Sequence, residues 1–314
     1  MIKAKLLISG LGGSMFPYLH EKLFQDFELV YVDNDPSLKF IYPNLNFVCA
    51  PLVTSNEYPP FIKGLIRKEG INVYIPLIDE EILVAHKISL DLKDLILISP
   101  ESDFCRLCLN KLELMHKLEE LDISVIESYK GSELKLKTSY PVFVKPIVGR
   151  GSRGIRKINS YEEFNAYILL EKYNPDDILV QNYISGQEYT VGVLANNLNQ
   201  IICIGVREVE SKKGITIKAK TVINNEIMEK VKLVNKLLRP AGPYNIQLFI
   251  DVLGKIKIFE INPRFSTTTV MNYYSEIDVV SLYLEYYNEE YKNDILIPFQ
   301  NLALRRTWKN NFYG

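Results

Sequence analysis

The fold of this chain is decided by residues 245–264, which read NIQLFIDVLGKIKIFEINPR. Apolar and polar side chains alternate along both halves of the stretch, and the turn-like residues 251–254, Asp-Val-Leu-Gly, interrupt the alternation. This pattern predicts two antiparallel strands joined by a short loop. Gln247 and Glu260 fall opposite each other if the chain turns near Leu253. The sequence therefore predicts that both side chains leave the same face of a hairpin.

Oxygen-bearing side chains collect on that face. Asn262 lies two residues beyond Glu260 and points the same way, because side chains alternate along a strand. Carboxylate and amide oxygens suit Mg²⁺, which is a hard cation. Arg264 follows on the same alternation, and a fixed cation beside a metal is what a transferring phosphoryl group needs. The residues favour a magnesium site that handles phosphate. The alternative is an amphipathic hairpin whose polar face meets only water.

Length and composition are those of an ordinary globular protein. The chain has 314 residues, 47% of them apolar and 24% charged, and 37 lysines and arginines offset 38 acidic residues. A chain of this size can bury a substantial core in two or three domains. The balanced charge argues against nucleic acid or a membrane surface as a partner. Glycines break the opening MIKAKLLISGLGG too soon for a signal peptide, and no apolar run approaches the ~18 residues of a spanning helix. We therefore expect a cytoplasmic protein.

Residues 1–105 alternate short apolar strands with helical stretches. Strands are predicted at residues 5–9, 28–32, 46–50, 72–76 and 95–99, with a helix at residues 58–69. Such alternation predicts a parallel sheet covered by helices, a Rossmann-like domain. The run GLGG at residues 10–13 and the acid Asp33 partly match the dinucleotide fingerprint, but Met15 occupies the place of its third glycine. A plain βαβ turn is favoured, and an oxidoreductase that binds NAD stays open as an alternative.

The next segment combines lysines with a glycine-rich run. One long helix is predicted from Phe104 and carries Lys111, and a strand over residues 140–146 ends with Lys145. The run GRGSRG follows at residues 149–154. Glycines let backbone amides approach phosphates closely, and the two arginines add positive charge. A mobile surface loop is the alternative, because glycine clusters are common in loops.

Strands and helices are also predicted over the remaining residues. Strands are expected at residues 178–183, 188–192, 201–205, 215–220 and 302–308, with one helix at residues 225–238 and another reaching Tyr287. Ser185 and Gly186 are interpreted as the turn between the first two strands. Arg207 and Lys220 are candidates to line an anionic substrate pocket. The alternative is that the basic residues here form a solvated face.

The cysteines and histidines suggest no site. Cys105 and Cys108 make a C-x-x-C, but no second pair or nearby histidine completes a zinc set. We expect both to be buried thiols on one helix face.

Five motifs, taken in chain order, resemble those of the ATP-grasp superfamily. They are Asn110-Lys111, FVKP at residues 143–146, the glycine run at residues 149–154, QNYISGQE at residues 181–188, and Gln247-x12-Glu260-x-Asn262-x-Arg264. Many members carry Asp or Glu where this chain has Gln247. In this respect the chain is most similar to the branch of the carbamoyl-phosphate-synthase large subunit, here as a single module. Agreement of five ordered motifs is stronger than any one of them.

The resemblance implies an α/β and α+β fold, in which a Rossmann-like pre-ATP-grasp domain precedes a two-part ATP-grasp fold. Residues 1–105 form the first domain on this prediction. Residues 106–183 form a linker helix and the lid subdomain, and residues 184–314 form the carboxy-terminal subdomain with the metal site. The run IPLIDEE at residues 75–81 resembles the segment that shapes the substrate cleft in this branch. The run FSTTTV at residues 265–270 replaces the glycine-rich segment usual there.

The resemblance also implies roles for individual residues. Lys145 and Arg264 are the candidate catalytic residues. Mg²⁺, or Mn²⁺ in its place, is expected on Gln247, Glu260 and Asn262. The residues expected to bind ATP are Lys111, Lys145, Gly149, Gly151, Ser152, Gly154, Gln181, Tyr183, Ile184 and Glu188.

The implied activity is that of an ADP-forming carboxylate–amine ligase that acts through an acyl phosphate. Its cofactors are ATP and Mg²⁺, and its substrates are a small carboxylate and an amine or ammonia. The sequence shows no convincing Ser/His or Cys/His pair, in agreement with a mechanism that needs no side-chain nucleophile. Alternatives are a carbamoyl-phosphate-synthase-type subunit that needs a partner, and a nucleotide-binding module without catalysis. No nucleic acid or membrane partner is expected, and a homodimer is left open.

Overall fold

Three sheets follow one another along the chain in the computed structural model. The structure describes residues 4–134, 139–149, 153–308 and 310–312, apart from the side chains of residues 17 and 18. The sheets have five, four and six strands. The five-stranded sheet is parallel, and the pairings in the other two are antiparallel. This architecture confirms the predicted fold class.

The five-stranded sheet is the Rossmann-like unit, with the strand order β3-β2-β1-β4-β5. Its strands are β1 (Lys5–Ser9), β2 (Glu28–Asp33), β3 (Phe47–Cys49), β4 (Val73–Ile75) and β5 (Ile96–Leu97). The accompanying helices are α1 (Phe16–Leu23), α2 (Leu38–Ile41), α3 (Tyr58–Glu69) and α4 (Asp79–Leu90). The central strands are buried on both faces, which is why their sequences are continuous apolar runs and do not alternate.

Two helices stand where one long helix is predicted, and this part of the prediction is wrong. They are α5 (Ser102–Leu109) and α6 (Lys111–Glu120). Asn110 between them has extended backbone angles, and its side chain accepts a hydrogen bond from the Glu113 amide, 3.2 Å away. An asparagine in that role caps a helix start. The break places Lys111 at the first position of α6. Cys105 and Cys108 are buried thiols on α5, as predicted.

The four-stranded sheet, called the lid sheet here, has the order β6-β9-β7-β8. Its strands are β6 (Ser128–Lys130), β7 (Val142–Pro146), β8 (Arg156–Ile158) and β9 (Ile178–Asn182), with α7 (Tyr161–Glu171) packed on one face. Val142 and Val144 of β7 are buried in the small core under α7. Phe143 and Lys145 alternate with them and so point to the opposite face.

The predicted hairpin around Ser185-Gly186 does not form. The strand that begins at Gly186, β10 (Gly186–Ala195), pairs with strands of the six-stranded sheet, whereas β9 pairs within the lid sheet. Residues 183–185 therefore connect two sheets. The local turn signal was present, but partners distant in sequence determine the pairing of both strands.

The six-stranded sheet has the order β14-β13-β10-β11-β12-β15. Its remaining strands are β11 (Ile201–Lys213), β12 (Ile215–Val222), β13 (Gly242–Asp251), β14 (Ile256–Asn262) and β15 (Ala303–Arg305), and the helices of this part are α8 (Asn225–Leu238), α9 (Val270–Tyr274) and α10 (Val279–Glu285). The helix predicted to reach Tyr287 is two short helices, because Glu276 adopts a positive φ and Asp278 caps α10. The last strand is shorter than predicted.

Two large cores hold these parts together. One lies between the six-stranded sheet and helices α5, α6 and α8, and includes Leu114, Val231 and Ile246. The other joins the Rossmann-like unit to the opposite side, with Leu6 and Phe16 in the same cluster as Met271 and Tyr283. The shared core positions the start of α4 beside the end of β14. Among the described residues, none of the helices has the length and apolar composition that crossing a bilayer requires.

Candidate active site

The β13–β14 hairpin places three oxygen-bearing side chains together. Gln247 lies opposite Glu260, and Asn245 lies opposite Asn262. The register shifts after Gln247, so that Leu248 pairs with Ile258 and the pairing skips Phe259. Such a bulge re-aims neighbouring side chains. The predicted register of Gln247 and Glu260 is confirmed, and their side chains line a common cleft with Asn262.

The cleft lies between the lid sheet, the six-stranded sheet and the start of α4. Its volume is about 150 Å³. The residues that line it are Asp79, Lys111, Lys145, Pro146, Gly149, Arg153, Ile155, Thr190, Lys212, Gly214, Ile215, Thr216, Asn245, Gln247, Phe259, Glu260, Asn262, Arg264, Ser266 and Thr267. Five of these carry a cationic side chain, while Asp79 and Glu260 are the acids. The positive excess makes the cleft suitable for an anion.

Lys145 and Glu260 form a buried pair in the cleft wall. The Lys145 ammonium lies 3.5 Å from a Glu260 carboxylate oxygen and 3.4 Å from the carbonyl oxygen of Phe259. Burial is the main cause that lowers the pKa of Lys145 to about 8; the Glu260 carboxylate opposes this shift, and the charges of Lys111 and Lys212 add to it. Burial raises the pKa of the Glu260 carboxyl, but the three lysines outweigh burial and leave it below its ordinary value. Glu260 is therefore ionised at neutral pH.

Lys111 holds the beginning of the glycine-rich segment. Its ammonium donates to the carbonyl oxygen of Gly149 at 2.6 Å, and its backbone amide donates to Ile147 at 3.2 Å. Gly149 and Gly154 both have positive φ, 144° and 69°, which favours glycine at these positions. Gly151 and Ser152, which are also predicted to bind ATP, lie outside the described residues.

Lys212 is a cleft residue that sequence reasoning missed. Its ammonium donates to a Glu188 carboxylate oxygen at 2.7 Å and to the Gln247 amide oxygen at 2.8 Å. The pairing of β11 with β12 skips Glu210, so strict alternation counted from Arg207 puts Lys212 on the wrong face. A bulge of this kind has no clear signature in the sequence.

Arg264 connects the end of β14 to the Rossmann-like unit. Its guanidinium forms a two-point ion pair with Asp79 at the start of α4, with Nη2 and Oδ2 3.2 Å apart, and Nη1 also donates to the Phe265 carbonyl at 3.2 Å. Asn245 donates to the Arg264 carbonyl at 3.0 Å. The segment IPLIDEE thus contributes Asp79 to the cleft.

The sequence of the cleft region matches one known family. Residues 108–268, slightly more than half of the chain, match the sequence model of the ATP-grasp domain. This chain belongs to the ATP-grasp family. The match includes Lys111, Lys145, Glu260 and Arg264.

Relatives within the ATP-grasp family differ in size and activity. The chain is 29% identical over 151 residues to the carbamoyl phosphate synthase large chain of Clostridium perfringens, a match that covers 44% of this chain and 14% of that protein. It is 30% identical over 164 residues to the vancomycin B-type resistance protein VanB of Enterococcus faecalis, covering 46% of this chain and 48% of that protein. The chain thus spans less than half the length of either relative.

A solved structure shows the same fold. The biotin carboxylase domain of Hydrogenobacter thermophilus 2-oxoglutarate carboxylase, in complex with MgADP, ADP and bicarbonate, superposes with a TM-score of 0.73. The two proteins are 16% identical, and the match covers 94% of this chain and 72% of the other.

Four of the residues expected to bind ATP lie where the lid sheet meets the six-stranded sheet of the ATP-grasp fold. Gln181 is buried on the same lid face as Lys145 and donates to the Ser128 hydroxyl at 2.9 Å. The Tyr183 amide donates to the Pro141 carbonyl at 3.3 Å, so this amide already has a partner. Ile184 follows in the connection, and Glu188 accepts from Lys212.

The two residues predicted to line a substrate pocket, Arg207 and Lys220, lie on opposite faces of the six-stranded sheet. Thr221 is the partner of Arg207, and Glu208 is the partner of Lys220. Arg207 and Glu208 are neighbours on one strand, so Arg207 and Lys220 point to opposite faces. Lys220 pairs with Glu208 at 2.8 Å and does not line the described cleft. The expectation that both residues line one pocket is therefore wrong, because the period of the strand separates them.

Proposed function

We propose that this ATP-grasp protein is an ADP-forming ligase that joins a small carboxylate to an amine through an acyl phosphate. The observation that carries the proposal is the convergence of three oxygen ligands and several cations on one cleft. Gln247, Glu260 and Asn262 supply the oxygens, and the fixed cations of Lys145 and Arg264 stand on either side of them. Phosphoryl transfer needs this combination more than it needs a nucleophilic side chain.

The chain's cations suit the phosphates of ATP. Lys145 and Lys111 are assigned to the inner phosphates, together with Gly149 and Gly154. The match with a domain crystallised with MgADP supports a nucleotide in this cleft. Adenine is assigned to Gln181 and the backbone of Tyr183 and Ile184, and ribose to Glu188. Of these four, Glu188 is held by Lys212 at present, and the nucleotide is expected to take over part of that contact.

The donor set fits magnesium. Gln247, Glu260 and Asn262 offer one carboxylate and two amide oxygens, which suits an ion that keeps some ligands for phosphate and water. The Lys145 and Lys212 ammoniums already lie 3.5 Å and 2.8 Å from oxygens of Glu260 and Gln247, so these oxygens attract cations. Mg²⁺, or Mn²⁺ in its place, offsets phosphate charge when it is bound there.

The chemistry follows from this arrangement. An oxygen of the substrate carboxylate attacks the γ-phosphorus of ATP, the bond from that phosphorus to the β–γ bridging oxygen breaks, and ADP leaves. The amine then attacks the carbonyl carbon of the acyl phosphate, inorganic phosphate leaves, and the nitrogen loses a proton to solvent. Arg264, Lys145 and Lys212 offset negative charge on the transferring group. Arg264 must therefore exchange part of its contact with Asp79 for phosphate.

We assign to the lid sheet the exclusion of water from the acyl phosphate. A water molecule in place of the amine hydrolyses the intermediate and wastes ATP. Closure of the lid sheet over the cleft excludes this water.

Product analysis tests the proposal. Purified protein is incubated with ATP, Mg²⁺ and a panel of carboxylates paired with ammonia or amines, and nucleotides and phosphate are measured. The proposal predicts ADP and phosphate in equal amounts, dependent on both substrates. AMP and pyrophosphate, or no turnover with any pair, contradict it. Glu260→Ala serves as the matched inactive control.

A further inference from the structure

Arg207 is a fully buried cation with no acidic partner among the described residues. Its side chain is 0% exposed, and it lies in the middle strand pair of the six-stranded sheet. One guanidinium nitrogen donates to the Gly205 carbonyl at 2.6 Å and another to the Asn272 side-chain oxygen, while Nε has no partner in the described structure. A guanidinium has five N–H donors, so much of its hydrogen-bonding capacity is unused.

Arg207 lies on the same face of the sheet as the proposed metal ligands. Glu260 pairs with Gln247, Gln247 with Thr190, and Thr190 with Arg207. Directly opposed residues in neighbouring strands share a face. Two strand spacings, about 10 Å, separate the backbone of Arg207 from that of Gln247. The row thus runs from the magnesium ligands to an unpaired cation.

Two glycines make room for the guanidinium. Gly192 and Gly205 are directly paired on neighbouring strands. A Cβ atom at Gly192 lies 2.5 Å from an Arg207 nitrogen, and one at Gly205 lies 2.6 Å from its guanidinium. Any other residue at either position displaces the cation. The site is therefore built around Arg207.

A small cavity adjoins the guanidinium, next to the cleft. Its volume is about 10 Å³, against about 150 Å³ for the cleft, so it admits only the end of a substrate and not a nucleotide. Arg207 is the only cationic side chain among the described residues that line it. Phe265 and Thr269 line the small cavity, and Ser266 and Thr267 between them line the cleft. One segment thus forms a wall of both spaces.

A buried charge without a partner destabilises the fold. The presence of such a charge at Arg207 therefore favours a role in binding an anion. Burial lowers the pKa of Arg207 to about 10, which still leaves it charged at neutral pH. A single planar guanidinium suits a carboxylate, which carries one negative charge and two coplanar oxygens. A phosphate carries more charge than one cation can offset.

We infer that Arg207 binds the carboxylate of an α-amino acid, and that this carboxylate does not itself react. The inference rests on the proposed ligase function. The reacting group of the same substrate lies toward Gln247 and Glu260, on the same face of the sheet. An amino acid carries both the amine that a ligase consumes and a carboxylate for Arg207. Asn272 of α9 holds the guanidinium in place, because its side-chain oxygen accepts a hydrogen bond from Arg207.

Binding of matched ligands tests this assignment. The twenty L-amino acids and their carboxamides are titrated against the protein with Mg²⁺ and a non-hydrolysable ATP analogue, by calorimetry. At least one amino acid is expected to bind about 10- to 150-fold more tightly than its carboxamide, as a hydrogen-bonded charge pair allows. Binding of no amino acid, or equal binding of each acid and its carboxamide, overturns the inference.

Three variants test whether Arg207 causes the tighter binding of an amino acid than of its carboxamide. Arg207→Met has a similar volume and removes the charge, so it is expected to keep or raise the melting temperature and to abolish the preference. Arg207→Lys keeps the charge without the planar fork and is expected to retain only part of the preference, which gives a second measurement if the first variant does not fold. Lys220→Met, from the opposite face, is the matched control and is expected to bind as wild type. Full preference in either Arg207 variant overturns the inference.

The two proposals fail in different ways. If the preference depends on Arg207 but the nucleotide product is AMP, or no product forms, the ligase proposal fails and the amino acid site stands. If ADP is released with a substrate pair and Arg207→Met keeps the preference, only this inference fails.

Discussion

Two hairpins of the six-stranded sheet face the same cleft and contribute opposite chemistry. The β13–β14 hairpin provides oxygen ligands through Gln247, Glu260 and Asn262, whereas the β11–β12 hairpin provides a cation to the cleft through Lys212 and one to the adjoining small cavity through Arg207. Each contains a bulge, at Phe259 in the first and at Glu210 in the second. The bulge at Phe259 puts an aromatic ring under two ammoniums, with Lys145 and Lys212 5.3 Å and 5.7 Å from its centroid. The comparison teaches that the metal side and the anion side of the cleft come from separate hairpins that meet at the contact between Lys212 and Gln247.

The largest effect is expected on the oxygen side. Glu260→Ala removes the single carboxylate of the proposed metal set, and ADP release is expected to fall on the order of 1,000-fold, because a metal supplies several kcal/mol to the transition state. Glu208→Ala, a carboxylate on the opposite face, is the control and is expected to keep activity within about threefold. Steady-state kinetics with thermal melting checks both. Near wild-type turnover of Glu260→Ala would show that the hairpin does not hold the metal.

A smaller effect is expected where β14 ends. Arg264→Lys keeps a charge but loses the fork that meets two oxygens at once, so kcat is expected to fall about 10- to 100-fold with little change in nucleotide affinity. Arg305→Lys on the exposed edge strand β15 is the control. Measurement of kcat and of the dissociation constant of ATP for each variant shows whether turnover falls without a loss of affinity. An equal loss in affinity and kcat contradicts a role confined to the transition state.

On the cation side, Lys212→Met tests the contribution of the β11–β12 hairpin. The variant is expected to lower kcat about tenfold through the lost phosphate contact. It is also expected to reduce the Mg²⁺ concentration for half-maximal activity about twofold, because Lys212 no longer competes for the Gln247 oxygen. Lys213→Met, the exposed next residue, is the control. A magnesium titration at saturating ATP measures both effects, and an increased magnesium requirement would break the proposed competition.

The charge of Lys145 is expected to make nucleotide affinity depend on pH. Its lowered pKa of about 8 means that the free protein carries this charge below pH 8 and loses it above. Affinity for an ATP analogue is therefore expected to be highest below pH 8 and to fall up to about tenfold by pH 9, as one pKa unit of deprotonation allows. Lys145→Arg stays charged and is expected to flatten the profile. A wild-type profile that is flat from pH 7 to pH 9 contradicts the lowered pKa.

The two hairpins also differ in how far sequence reasoning could describe them. In β13–β14 the alternation continues on both sides of an obvious turn, so the pairing of Gln247 with Glu260 follows from counting. In β11–β12 the skipped Glu210 reverses the alternation, so the cleft position of Lys212 could not be counted from the residues.

Elsewhere the limits of prediction are similar. The Rossmann-like unit was predictable because buried parallel strands are continuous apolar runs separated by helices. The capping role of Asn110 was a local signal that a continuous apolar periodicity concealed. The partners of β9 and β10 depend on residues distant in sequence, which no local pattern reveals.

The central claim is that a substrate carboxylate attacks the γ-phosphorus of ATP in this cleft. The most direct measurement uses the acid that gives the fastest ADP release, labelled with ¹⁸O in its carboxylate, and mass spectrometry of the products. Attack through the carboxylate leaves one labelled oxygen in the released inorganic phosphate once the amine displaces it, and the proposed mechanism predicts this label at one atom per ADP formed. Label in AMP, or phosphate free of label while ligated product accumulates, would contradict the acyl-phosphate mechanism.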